Sequence, residues 1–232
     1  MPRARSIDLD NPFAPLTGLC ELILVRHGEQ VLSRELSARE TVDPPLSELG
    51  ERQAEAVANR LARTRVDAVY SSPLRRALRT GTLIASKHGL EPVVRDELSE
   101  YEPWQKFPAD QSPFEVLPHE EVAAMFRDHI RTRRYGAFTY AEDGAEFHAR
   151  VLRQISSIVD AHLGRRVVIS CHGGVINAVL ADALGSAFDM PVRVHHTSLS
   201  VVRGADTRRA VQSVNDFTHV LDFQSHVGAM NL

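Results

Sequence analysis

Apolar runs and amphipathic runs alternate along the chain, the pattern of an α/β layer fold. Leu19 to Val25 is a continuous apolar run, which predicts a central strand covered on both faces. Ser47, after Pro44-Pro45-Leu46, is placed to N-cap a helix whose apolar face is Ala54, Val57, Ala58 and Leu61. Val66 to Tyr70 predicts a second strand. Ser71-Ser72-Pro73 then opens a helix carried by Leu74, Ala77, Leu78 and Leu83 to about Lys87. Pro92 to Val94 reads as a short third strand. Later, Ala145 to Leu163 is helical through Phe147, Val151, Leu152, Ile155 and Val159. Arg166 to Ser170 is a fourth strand, followed by a helix from Gly174 to Leu184 that Gly185 ends. Ser198 to Arg203 and Ala210 to Asn215 flank a polar turn and predict a hairpin. The expected fold is an α/β three-layer sandwich, with a mostly parallel central sheet and helices on both faces.

The stretch from Tyr101 to Asp143 breaks this rhythm. It holds prolines, the chain's only tryptophan (Trp104) and the charged run Arg127 to Arg134. A segment so long without clear periodicity in a compact domain is usually functional. It reads as an inserted cap over 101–143 with one helix near Glu120 to Arg131. Trp104, Phe107, Phe114 and Tyr135 are candidates to line it, with core packing expected for most of them. Residues 1–18 read as a short arm, because Met1 to Leu16 lacks the apolar run of a secretory signal. Residues 19–232 read as one catalytic domain.

Composition narrows the function classes. The 232 residues are 43% apolar and 25% charged, with 27 basic against 30 acidic side chains, ordinary for a globular protein. That balance argues against a dedicated nucleic-acid binder. No run approaches the roughly 20 apolar residues of a membrane span. Cys20 and Cys171 both lie in apolar runs and read as buried thiols, which suits a cytoplasmic location.

Three predicted strands stop in the same chemical manner. The first ends Arg26-His27-Gly28-Glu29, the second leads into Ser71-Ser72-Pro73-Leu74-Arg75-Arg76, and the fourth ends Cys171-His172-Gly173-Gly174. Ligands of open α/β sheets bind beyond the carboxyl ends of the strands. Parallel pairing of these strands would bring Arg26, His27, His172 and one arginine of the second segment to a single crevice. Gly28, Gly173 and Gly174 would let backbone approach a ligand and leave amide donors free. Two imidazoles, two guanidiniums and free amides suit a tetrahedral oxyanion, with phosphate the leading candidate.

Leu24-Val25-Arg26-His27-Gly28-Glu29 resembles the signature of the histidine phosphatase superfamily, which includes the cofactor-dependent phosphoglycerate mutases. Further similar segments follow in the family's order. They are Asp43 to Gly50 with Gln53-Ala54, Ser71 to Ala77 with Thr80, Leu98-Ser99-Glu100, Ser170 to Ile176, and Asn215-Asp216 with His219. The resemblance implies His27 as a nucleophile that forms a phosphohistidine, with Arg26, Arg76 and His172 around the phosphoryl group. It implies Glu100 as the proton donor, with Glu97 and Glu102 as neighbouring alternatives. Gly28, Glu29, Gln30 and Gly173 join the substrate-binding set, Glu29 as a candidate to orient an imidazole or guanidinium. The register puts Arg76 in the pocket and Arg75 on the solvated face.

The implied activity is metal-independent, acid-phosphatase-type hydrolysis of phosphate monoesters, with no cofactor and with a small phosphorylated substrate or inorganic phosphate as the ligand. The 11 histidines include the pair His195-His196, read as surface or pocket-rim residues because no metal-ligand spacing accompanies them. Asp8 and Asp10 do not follow an apolar strand, which rejects a haloacid-dehalogenase-type reading. Cys171-His172 has the wrong order for a cysteine phosphatase. The segment Glu-Arg-x-Tyr-Gly typical of mutases is absent after Glu100, which favours hydrolase over mutase. Retention of His27, Arg26, Arg76, Glu100 and His172 disfavours a non-enzymatic phosphate-binding module. Gln30 stands where many relatives have Ser or Thr, and His196-Thr197-Ser198 where they often place an Asn. Dimers are common among such relatives, and no residue pattern decides the point here.

Overall fold

The computed structural model describes residues 16–205 and 208–223. The first strand, β1 (Cys20–Arg26), lies inside a six-stranded sheet and is buried along its length except at Arg26. It pairs in parallel with β4 (Arg166–Cys171), which pairs in parallel with β2 (Ala68–Ser71), and that with the two-residue edge strand β3 (Val93–Val94). On its other side β1 pairs antiparallel with β5 (Leu199–Ala205), which pairs with β6 (Arg208–Asp216). The order is β3-β2-β4-β1-β5-β6.

Side-chain alternation along the strands divides the core into two layers. Ile23, Val25, Val69 and Val168 meet α2 (Glu48–Leu61) and α3 (Arg75–Ser86) through Val57, Ala58, Leu61 and Ile84. Cys20, Leu22, Leu24, Val167 and Ile169 point to the opposite face. There they join Phe147, Val151 and Ile155 of α6 (Gly144–Ala161) and Val175, Ile176 and Val179 of α7 (Gly173–Leu184). Each fully buried aliphatic side chain contributes roughly 1.5–3 kcal/mol. Helices therefore cover both faces, the three-layer arrangement. At the amino end of β1, buried Glu21 accepts from Arg166 and, at 2.9 Å, from Arg203.

The observed elements differ from expectation mainly at their ends. The first strand runs one residue further, to Arg26, because its register with Cys171 of β4 holds to that point. A short helix, α1 (Ala38–Val42), is unpredicted, although Ser37 and Glu40 form a capping box at its start. Between residues 101 and 143 the expected helix is α5 (His119–Thr132), preceded by the single turn α4 (Pro113–Val116). Trp104, Phe107, Tyr135 and Phe138 of this segment are buried and join the core on the α6 and α7 face. The arm up to residue 15, with Asp8 and Asp10, lies outside the described residues, as do positions 206 and 207 of the hairpin turn. Among the described residues no helix is long and apolar enough to cross a membrane.

Candidate active site

Sheet register assembles the site. Arg26 lies opposite Cys171, and Ser71 lies opposite Ser170, so β1, β4 and β2 end level with one another. The first residue beyond β1 continues the pairing, with His27 N–H donating to Cys171 O at 2.9 Å. The first beyond β2 does likewise, Ser72 N–H donating to Ser170 O at 3.1 Å. His27 and His172 therefore stand side by side with ring centroids 5.0 Å apart, both buried.

The two rings are held differently. His27 Nδ1 lies 2.6 Å from Gly28 O. A carbonyl can only accept, so Nδ1 carries the proton and Nε2 keeps a free lone pair. Arg76 Nε donates to that Nε2 at 3.2 Å, and Arg76 Nη1 donates to Val42 O at 2.8 Å. His172 Nε2 lies 2.8 Å from Ser72 Oγ, while its buried Nδ1 has no partner. Burial above all, then Arg76, His172, Arg26 and His196, holds His27 well below its ordinary 6.5. Burial followed by Arg76 and Arg26 does the same to His172. Both imidazoles are thus neutral at neutral pH.

Arginines supply the positive charge. Arg26 Nη1 donates to Val194 O at 2.6 Å, and burial lowers its guanidinium to about 10, with Glu100 opposing the shift. Arg76 is buried on the inner face of α3, whereas its neighbour Arg75 is exposed and paired with Asp43 at 3.3 Å. One residue of register separates the pocket from solvent.

Glu100 reaches the start of α7. Gly174 N–H donates to both of its carboxylate oxygens, at 3.0 and 3.1 Å, and Tyr101 N–H donates to Oε1 at 2.9 Å. The approach is so close that a Cβ on Gly174 would lie 2.3 Å from Glu100 Oε1. A Cβ on Gly173 would lie 3.9 Å from both Arg26 Nε and Glu100 Oε2, which brackets Glu100 and Arg26 around the helix start. Of the alternatives, Glu97 is exposed, and Glu102 lies beside Glu142, which joins burial in raising its carboxyl.

Two sequence expectations, both about free glycine amides, need correction. The Gly28 amide is engaged by Thr80 Oγ1 at 3.3 Å, and the missing Cβ of Gly28 makes room for Gly50 O, which it would meet at 2.3 Å. The Gly174 amide is engaged by Glu100, which leaves Gly173 as the glycine whose amide fits the expectation of a free donor. Glu29 contributes at the start of α2, where Ser47 Oγ donates to its carboxylate at 2.9 Å. Gln30 borders the site and its buried Oε1 has no partner.

Sequence reasoning missed Ser72 and Thr80 as partners of site groups, and it left His196 on a rim. His196 is a third imidazole of the site, 5.7 Å from the His27 ring, with a buried Nε2 that has no partner. Burial and Arg26 bring it down to about 2. Thr197 explains the placement: its N–H donates to the carbonyls of Arg26 and His27 at 3.0 and 3.3 Å. Those bonds hold Thr197 at φ +54°, a left-handed conformation costly for a β-branched residue. Asn215 pins the same loop, accepting from His195 N–H at 2.8 Å and donating to Arg193 O at 3.0 Å. The Asn215 of the C-terminal motif was the available signal. Among the described residues no group of three His, Cys, Asp or Glu is arranged to hold a metal ion.

The chain is similar to known proteins in sequence and fold. A family model described as histidine phosphatase superfamily (branch 1) matches residues 22–217. The chain is 30% identical over 213 residues to phosphoglycerate mutase-like protein 4 of Arabidopsis thaliana, covering 86% of each. It is 27% identical over 211 residues to phosphoserine phosphatase 1 of Hydrogenobacter thermophilus, covering 88% of this chain and 96% of the relative. The solved structure of Bacillus stearothermophilus YhfR superposes with a TM-score of 0.70 at 26% identity, over 87% of this chain and 99% of that one.

Proposed function

The chain belongs to branch 1 of the histidine phosphatase superfamily, and on that premise we propose that it hydrolyses phosphate monoesters through a phosphohistidine on His27. The observation that carries the reading is the state of the His27 ring. Its Nδ1 proton is committed to Gly28 O, and its Nε2 lone pair faces the Arg76 donor. That is a nucleophile already deprotonated and already aligned with a cation.

The Nε2 lone pair forms a bond to phosphorus as the bond from phosphorus to the ester oxygen breaks. The leaving oxygen keeps that electron pair and takes a proton from Glu100. Water then attacks phosphorus, the phosphorus–nitrogen bond breaks, and its electrons return to Nε2. Glu100 takes the water proton, and inorganic phosphate leaves. Arg26, Arg76 and the Gly173 amide are placed to stabilise the equatorial oxygens, which carry the charge in such transfers. Neutral His172, held by Ser72, adds a hydrogen-bonding ring without adding a competing proton.

Relatives carry both mutase and phosphatase names, so products decide between the two. The enzyme is given 3-phosphoglycerate with its bisphosphate primer, with His27→Asn as the blank. Inorganic phosphate as the main product supports hydrolysis, whereas the 2-phospho isomer contradicts it. No turnover of any monoester, with phosphate still bound, would return the chain to a binding module.

A further inference from the structure

We infer that the alcohol part of the substrate is an apolar, ring-sized body seated in a chamber beside the phosphoryl pocket; the inference rests on the monoester-hydrolase reading above. The chamber has a volume of about 500 Å³ and shares Arg76 and Gln30 with the site. That size lies within the range of small-molecule pockets. Arg76 both donates to His27 Nε2 and forms part of the chamber wall, so a group esterified to phosphorus at His27 has this space next to it.

Most of the remaining wall is carbon, with Ser33, Arg34 and Thr41 as its polar members. Trp104, Phe114, Phe126 and Pro103 line it together with Val31 and Leu32. Trp104 is wedged edge-on against Phe107, Phe114 and Phe138, at centroid distances of 6.0, 5.9 and 5.9 Å, so that wall is already built. Val31 and Leu32 are 42% and 51% exposed, apolar surface that a ring would remove from water. No Asp or Glu lines the chamber. An ammonium group placed there would lose its hydration without gaining a counter-charge, which selects against a zwitterionic alcohol such as serine.

Trp104 is the only tryptophan of the chain, so its fluorescence reports on the chamber directly. The test uses two phosphonates that cannot be hydrolysed, cyclohexylmethylphosphonate and methylphosphonate, titrated into the intact protein. The expected result is a Kd at least tenfold lower for the cyclohexyl compound, together with a change in Trp104 emission. In Val31→Ser/Leu32→Ser, two exposed positions where misfolding is not a concern, the ratio of the two Kd values should fall at least threefold. Equal Kd values, a tighter Kd without a tryptophan signal, or an unchanged ratio in the variant would overturn the chamber assignment. Phosphate release from p-nitrophenyl phosphate, measured alongside, keeps the two readings apart. A tenfold ratio without release keeps the chamber and removes the hydrolase. Release with a ratio near one does the reverse.

Discussion

Arg76 Nε donates to His27 Nε2 at 3.2 Å, joining the first helical turn after β2 to the residue that follows β1. A phosphoryl group attached to Nε2 would take over that donor. The same guanidinium is braced by Val42 O, so two nitrogens of one planar fork are used at once. Lysine carries a single charged nitrogen and cannot span both acceptors. Arg76→Lys is expected to lower kcat by roughly 10²–10³-fold, the usual cost of one missing oxyanion donor. Steady-state kinetics with p-nitrophenyl phosphate check this, and a kcat within threefold of wild type would contradict it.

Gly174 and Gly173 are adjacent, yet only the first meets Glu100 closely, at 2.3 Å against 3.9 Å for an added Cβ. Gly174→Ala should push the carboxylate away and so behave like Glu100→Gln. Both should lose turnover of alkyl phosphates at least tenfold more than turnover of p-nitrophenyl phosphate, whose leaving group needs no proton. Gly173→Ala keeps its amide and should cost far less. Equal losses on the two ester types would argue against Glu100 as the proton donor.

Protonation of the site histidines ties stability to pH. His27 and His172 are held well below 6.5 by burial and neighbouring cations. Unfolded, they take up protons as pH falls through about 6.5, while the folded forms stay neutral. The unfolded state then binds more protons, so stability is full above pH 6.5 and is lost as pH falls towards the folded-state values. From pH 7 to pH 5 each ring should contribute to that loss. Urea unfolding at the two pH values should show a smaller fall in His172→Asn than in the wild type. An identical fall in the variant would rule the linkage out.

His196 brings its unpartnered Nε2 within reach of the same pocket. His196→Ala should raise the KM of simple monoesters by roughly tenfold, the scale of one hydrogen bond to a charged group. His196→Asn, which supplies an amide donor, should recover most of the loss. Failure of asparagine to outperform alanine would reduce His196 to packing.

These expectations show where the chain was legible and where it was not. His27 and His172 could be read because each directly follows a strand, and the end of a strand in a parallel sheet fixes the edge at which its next residue appears; Arg76 lies in the first turn of the helix that follows β2. The apolar run Leu19 to Val25 read as a central strand because both its faces are buried, Leu22 and Leu24 on one and Ile23 and Val25 on the other. His196 was illegible as a site residue because its position depends on Thr197 bonding to Arg26 and His27 and on Asn215 reaching back from β6. No local pattern encodes contacts of that range. The glycines misled in a related way: Gly28 and Gly174 are small to admit Gly50 and Glu100, which lie far away in sequence. α1 is a different matter, since Ser37 and Glu40 spelled its capping box and only its five-residue length hid it.

Alkaline quenching of the enzyme during turnover of an ester labelled on phosphorus should trap a phosphohistidine. Label should be bound to the wild-type chain, recovered in the peptide that contains His27, lost on acid treatment and absent from His27→Asn. Rapid phosphate release with no bound label at any quench time, or label retained by His27→Asn, would contradict it.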